Sequence, residues 1–298
     1  MTEVVLDDST NNFQSEQFIC YSSFDQLSLN VRHWPVINGE PRAVVLIVHG
    51  SGEHCERYEH VARFFSEHQL ASVSYDLRGH GYSGGERGYF PCINAVLDDL
   101  KCVIQFIRVE LYPDISLIIY SHGAGSAFCL MYDIRRPENP LDCQAMIVST
   151  PSICLKKRPS RIQLFLVRAF ANLNPHFRLP IDGNRTNVYT NDPIVVQAYR
   201  NDIRIHDRWP AATIAILVEI GLFFEKNIFT ATCPMLIQHG SADSTTPVTR
   251  IRKWINRRVR GDVTYKEWQG HFHELHNDLG KEEVLAHAVE WIEKTLNI

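Results

Sequence analysis

Apolar and polar positions along the chain fall into two rhythms. Gln17-Phe-Ile-Cys-Tyr21 and Leu27-Ser-Leu-Asn-Val-Arg-His-Trp34 alternate, the pattern of antiparallel strands with one face covered. From residue 43 the pattern changes: Ala43–Val48 is an unbroken apolar run, Ser116–Tyr120 is apolar after its first residue, and Ala71–Asp76 and Ala145–Thr150 read as further strands. Between them lie helical patterns at Tyr58–Gln69, about 94–111, and Ala127–Tyr132. A run without polar breaks suits a strand buried on both faces of a parallel sheet, and strand alternating with helix predicts an α/β fold.

The alternation stops from Pro151 to Thr232, where helical patches such as Arg161–Phe170 replace it, and resumes with Pro234–Gln238 and Val263–Trp268 before a closing helix over 281–295. The expected organisation is a flexible polar N-terminus over 1–16, a core formed by 17–150 and 233–298, and a helical cap inserted over 151–232.

Composition narrows the classes of function. With 298 residues, 45% hydrophobic and 21% charged, the chain is long enough for one large domain with a well-buried core. A net charge of -4 and a pI near 6.4 provide no overall positive field, which argues against a nucleic-acid partner. Local basic clusters occur at Lys156-Lys157-Arg158 and from Arg250 to Arg260, and the second, with apolar residues at helical spacing between its arginines, reads as a solvated outer face. The eight cysteines are scattered without a C-x-x-C pair and the N-terminus lacks a signal pattern, so a cytoplasmic protein with reduced thiols is expected. No apolar run is long enough to span a bilayer, so any membrane contact would be peripheral, through the cap.

The most informative stretch is Ser116-Leu-Ile-Ile-Tyr-Ser-His-Gly-Ala-Gly-Ser126, a strand pattern that ends in small residues and leads into a helix. This is the setting of G-x-S-x-G, the strained turn that raises a nucleophilic serine above the sheet. The corresponding frame here is Ser121-His-Gly-Ala-Gly125, with Gly123 at the nucleophile position. A frame centred on Ser121 puts bulky Ile119 where a small residue is needed, and Ser126 falls inside the helix, so neither serine replaces it.

The partners of a hydrolytic triad follow in the order acid, then base. Asp243 directly follows the run 234–238, and His273 follows the run 263–268, both at strand ends from which their side chains could reach the turn. Asp243 also suits a plain turn before a helix, His273 suits a helix cap, and His271 competes with His273 for the role of base. His273-Glu-Leu-His276 is one residue short of H-E-x-x-H, so no metal site is expected. His49-Gly-Ser-Gly52 follows the first unbroken run, nominating the backbone N–H groups of Ser51 and Ala124 as an oxyanion hole. Gly79 to Gly84 spells G-x-G-x-x-G but opens no helix, which argues against a dinucleotide site.

Taken together, H-G-x-G-E-H-x-x-R-Y at 49–58, D-x-R-G-H-G-x-S-x-G-x-R-G at 76–88, Asn191-Asp-Pro193, G-S-A-D at 240–243 and H-E-L at 273–275 resemble the monoacylglycerol lipase and lysophospholipase-like branch of the α/β-hydrolases. The resemblance spans about 25–296 and implies an α/β-hydrolase fold, a lipid or small ester substrate, no cofactor, and a cap that admits an acyl chain. It also places Leu164, Phe165 and Phe170 on the lipid-facing side of that cap. The departures are Ser121, where the family has glycine, and Gly123, which lacks the nucleophile's hydroxyl, so that the chain is expected to be inactive. A serine replaced by glycine in an otherwise competent enzyme is one explanation, favoured by the complete set of partners. A natural pseudohydrolase that keeps its pocket for a small apolar or lipid ligand is the other.

Overall fold

The unbroken apolar runs become the middle of an eight-stranded sheet in the computed structural model, which describes residues 13–155, 158–180 and 189–298. In chain order its strands are β1 (Glu16–Tyr21), β2 (Ser28–Trp34), β3 (Ala43–Val48), β4 (Leu70–Tyr75), β5 (Leu117–His122), β6 (Ala145–Ser149), β7 (Arg178–Pro180), β8 (Arg208–Pro210), β9 (Phe229–Thr230), β10 (Met235–Gly240), β11 (Val259–Arg260) and β12 (Val263–Trp268). The helices are α1 (Glu59–Glu67), α2 (Ile93–Phe106), α3 (Gly123–Arg135), α4 (Arg161–Leu173), α5 (Pro193–Asn201), α6 (Ala211–Lys226), α7 (Val248–Arg258) and α8 (Lys281–Leu296).

The large sheet runs β1-β2-β4-β3-β5-β6-β10-β12. β2 is antiparallel to both β1 and β4, and the remaining pairs are parallel. Period-two geometry sorts the apolar runs to the two faces of the sheet. Val44, Leu46, Val48 and Ile119 pack with Leu100, Phe128 and Phe224 from α2, α3 and α6. Val45, Ile47, Ile118 and Tyr120 pack with Phe65 and Ile292 from α1 and α8. β3, β4, β5, β6 and β10 are buried along their whole length, as a sheet covered on both faces requires.

The polar N-terminal stretch ends earlier than expected. Residues 1–12 lie outside the described residues, but Phe13 is buried under the guanidinium of Arg63, 4.7 Å from its ring centroid, and Glu16 already belongs to β1. An aromatic ring that finds an apolar seat fixes a chain that its polar neighbours would leave free.

Between β6 and β10 the chain leaves the sheet and forms α4, α5 and α6, with β7 and β8 pairing antiparallel between them. Ser160 and Gln163 form a reciprocal capping box at the start of α4, and Asp192 caps α5 with Pro193 in its first turn. α4 packs on α6, and α6 packs back on α3. The ends of β3, β5, β10 and β12 bring four loops to one edge of the sheet, the carboxyl edge where open α/β sheets bind ligands.

Candidate active site

Gly123 stands at the tip of the turn from β5 into α3, with φ at +54°, a conformation that favours glycine. The turn is tight because Gly125 passes the end of β3: a Cβ there would lie 2.5 Å from the carbonyl oxygens of Val48 and His49. At Gly123 itself there is room. A Cβ would stand 3.6 Å from His273 Nε2 and 3.7 Å from both Gly50 Cα and Ser152 Oγ, ordinary contact distances. The hydroxyls of Ser121 and Ser126 are buried and bond one another at 3.1 Å, and neither residue lines the cavity above the turn.

His273 and Asp243 meet beside this position. His273 Nδ1 lies 2.8 Å from Asp243 Oδ2, leaving Nε2 toward residue 123. The other carboxylate oxygen accepts the backbone N–H groups of Thr245 and Thr246, at 2.7 and 3.0 Å, so the acid is held by its own loop. His239 Nε2 is a further 3.2 Å neighbour of Oδ2. Burial favours the neutral acid, but the two histidines and their hydrogen bonds outweigh it and hold Asp243 well below the usual carboxylate range. Burial likewise disfavours protonated His273, yet Asp243 outweighs it and raises the imidazole above its ordinary value. His271 does not line the cavity; its ring lies edge-on to Trp268 at 5.8 Å.

Ser51 and Ala124 both line the cavity. Ala124 lies in the first turn of α3, where backbone N–H groups have no intrahelical acceptor and the helix dipole favours negative charge. The loop carrying Ser51 is braced by Glu53, which accepts from Gly50 N at 2.7 Å and Tyr58 Oη at 3.0 Å.

An ion network that sequence reasoning missed forms part of the cavity wall beside these groups. Arg57 bridges Glu53 at 2.6 Å and Glu274 at 2.7 Å, joining the loop after β3 to the residue next to His273. Burial alone would raise Glu53, but Arg57, with His122 and His49, brings it down to about 2. The i,i+4 spacing of Glu53 and Arg57 was the available signal; that Glu274 completes the bridge required the fold. His122, whose Nδ1 is 3.0 Å from Thr150 Oγ1, is lowered to about 4 by burial and by the neighbouring His273.

The cavity holds about 260 Å³, and its apolar wall comes mainly from α6, through Ile214, Leu217 and Val218, together with Leu155, Tyr199 and Trp209. The expectation for α4 is corrected here: Leu164, Phe165 and Phe170 do not line it. Leu164 lies in a separate groove with α6, Phe165 is 68% exposed, and Phe170 packs edge-on against Phe177 with ring centroids 5.3 Å apart. α6 lies between α4 and α3, so the apolar face of α4 meets either α6 or solvent.

Among the described residues no group of three or more histidine, cysteine, aspartate or glutamate side chains is placed to hold a metal ion, and no helix is long and apolar enough to cross a membrane. Lys156 and Lys157 of the first basic stretch lie outside the described residues.

Comparison with known proteins points to the same fold. A family model described as serine aminopeptidase, S33, matches residues 39–280. A monoacylglycerol lipase of Mycolicibacterium smegmatis is 29% identical over 254 residues, covering 85% of this chain and 89% of that protein. Human monoglyceride lipase is 27% identical over 259 residues, covering 83% and 80%. In three dimensions, a soluble variant of monoglyceride lipase from Saccharomyces cerevisiae, solved with a substrate analogue, superposes with a TM-score of 0.79 at 22% identity, covering 94% of this chain and 96% of that one.

Proposed function

Because the chain belongs to the serine aminopeptidase S33 family, in the monoacylglycerol lipase-like branch of the α/β-hydrolases, we propose that its cavity is a carboxylic-ester site of the lipase type that lacks only the nucleophile. The chain takes a single-chain acyl ester such as a monoacylglycerol and, as it stands, does not hydrolyse it. The observation that carries this reading is the 3.6 Å between His273 Nε2 and the point where a side chain at residue 123 would begin.

In a serine-bearing chain the hydroxyl would give its proton to His273 Nε2 and attack the acyl carbonyl. Asp243 would hold the imidazole in the right tautomer and stabilise its protonated form. The N–H groups of Ser51 and Ala124 would receive the oxyanion. His273 would then protonate the leaving alcohol, and water would release the acid by the same route. Gly123 removes the attacking atom and leaves the remaining parts in place, and loss of a triad nucleophile costs on the order of a million-fold in turnover.

The segment over 151–232 acts in this reading as a lid: α6 forms the acyl wall, and the outward apolar side chains of α4, Ile162, Phe165, Leu166 and Leu173, touch a membrane surface peripherally. The test is hydrolysis of monoacylglycerols of several chain lengths and of short aryl esters by the chain and by Gly123→Ser. Turnover confined to Gly123→Ser supports the reading. A folded Gly123→Ser protein inert on every ester would move the assignment to a pseudohydrolase that keeps the pocket for binding alone.

A further inference from the structure

One residue of the first basic stretch and four of the second, some ninety positions away in sequence, line one cavity in the fold. Arg158 from the loop after β6 and Arg250, Lys253, Arg257 and Arg258 from α7 line a half-open space of about 450 Å³. Cys154 belongs both to its wall and to that of the cavity beside Gly123, so the two spaces adjoin.

The charge there is unbalanced. Glu225 is the one carboxylate among the described lining residues, and it is shared between Arg250 at 3.3 Å and Arg158 at 3.8 Å. Among the described residues Lys253, Arg257 and Arg258 have no carboxylate within ion-pair distance, whereas Arg252, on the same helix but outside the cavity, is paired with Glu267. Trp254 supplies a second, independent observation. It lines the cavity, is 3% exposed, packs on Phe224 and Phe229, and its buried Nε1 has no hydrogen-bond acceptor. A buried N–H without an acceptor is costly and is normally satisfied by something outside the protein atoms.

The dipole of α7 favours cations in its last turn, which accounts for Arg257 and Arg258. It does not account for Arg158, which arrives from another part of the chain, nor for the unmet Trp254 donor. Guanidinium groups match phosphate oxygens in geometry as well as charge, and five cations against one carboxylate suit a dianion better than a monoanion.

We infer that the cavity between α7 and the loop after β6 binds a phosphate dianion, carried as the monoester of a lipid headgroup or free in solution. The site lies outside the ester machinery and does not depend on its assignment.

The experiment uses the whole chain with two probes: inorganic phosphate followed by calorimetry, and sedimentation with phosphatidylcholine vesicles with and without phosphatidate. Lys253→Glu/Arg257→Glu reverses two exposed charges at the cavity, and Arg252→Glu makes the same kind of change on α7 outside it. The expected result is binding of at least one probe that falls about ten-fold or more in the double variant and is kept in Arg252→Glu. Binding of inorganic phosphate with this dependence assigns the site to the free anion, and binding of phosphatidate vesicles alone assigns it to the headgroup. The inference is overturned if neither probe binds, or if Arg252→Glu weakens binding as much as the cavity variant, which would reduce the effect to general surface charge.

Discussion

His273 Nε2 stands 3.6 Å from the position of a Cβ on Gly123, so the base faces a residue that presents no side chain to it. A serine oxygen one bond farther out comes within hydrogen-bond reach of Nε2 in a suitable rotamer. Gly123→Ser is therefore expected to hydrolyse monoacylglycerols while Gly123→Ala stays at background, which separates the hydroxyl from the added carbon. His273→Ala placed on Gly123→Ser should return the rate by about 10⁴-fold or more toward background. Initial rates on one monoacylglycerol decide it, and activity in Gly123→Ala would defeat the argument.

Gaining that hydroxyl has a conformational cost. With φ at +54°, any L side chain at residue 123 adopts a left-handed backbone conformation, at about 1–2 kcal/mol. The nearest atoms to the new Cβ are at 3.6 to 3.7 Å, so crowding adds little. Gly123→Ser and Gly123→Ala should therefore lower the unfolding free energy by similar amounts in denaturant titrations. A variant more stable than the parent chain would show that the turn is not strained by a side chain.

How much of this was readable beforehand depended on whether a residue's role is set locally. Asp243 and His273 were legible because each directly follows a strand run, and parallel strands deliver their ends to one edge. Gly123 was legible because the small-residue frame and the helix after it define the turn. The apolar wall of the cavity was not. α6, Ala211–Lys226, is apolar nearly all round, so its sequence does not say which side meets the cavity. α4 is amphipathic, and its pattern says that one face is apolar without saying whether a substrate, a neighbouring helix or solvent lies against it. The Arg57 bridge joins residues more than two hundred positions apart, which periodicity cannot detect.

Arg57 gives a sharper stability prediction. It is largely enclosed, its side chain 9% exposed, between two buried carboxylates, Glu53 at 2.6 Å and Glu274 at 2.7 Å. Arg57→Met keeps much of the volume but leaves both acids without their cation, which is expected to cost about 3–5 kcal/mol. The triple change Arg57→Met/Glu53→Gln/Glu274→Gln should recover part of that loss, because neutral amides remove the unpaired charges. Equal thermal stability of Arg57→Met and the parent would mean that the bridge contributes nothing net.

The two histidines at the turn should respond to pH in opposite senses. His122 is lowered from 6.5 to about 4 in the fold, so the unfolded chain binds its proton first. Stability from this group is lost as pH falls from about 6.5 to about 4 and is level below that, a change of about 3 kcal/mol. His273 is raised, so its contribution is fully present below about 6.5 and disappears as pH rises through its folded value. His122→Asn should flatten the acid-side slope of unfolding free energy against pH between 6.5 and 4. In the Gly123→Ser background, kcat/KM should rise with pH through the raised His273 value, and Asp243→Asn should shift that limb to lower pH while cutting the rate about 10⁴-fold.

The outer face of α4 is the last feature with a measurable consequence. Ile162, Phe165, Leu166 and Leu173 are 57 to 80% exposed on a helix packed inward on α6, an apolar surface with no described protein neighbour to cover it. If α4 rests on a membrane, each of these side chains leaves water on binding, and an exposed phenylalanine or isoleucine transferred to an apolar phase is worth about 1.5–3 kcal/mol. Ile162→Ser/Phe165→Ser should then reduce sedimentation with neutral phosphatidylcholine vesicles by at least ten-fold, since 1.4 kcal/mol is already that factor. In the Gly123→Ser background the same pair should leave hydrolysis of a short water-soluble ester unchanged, because neither residue lines the cavity beside Gly123. Loss of short-ester turnover together with vesicle binding would indicate that α4 instead supports the cavity through α6, and unchanged vesicle binding would remove the membrane role from this face.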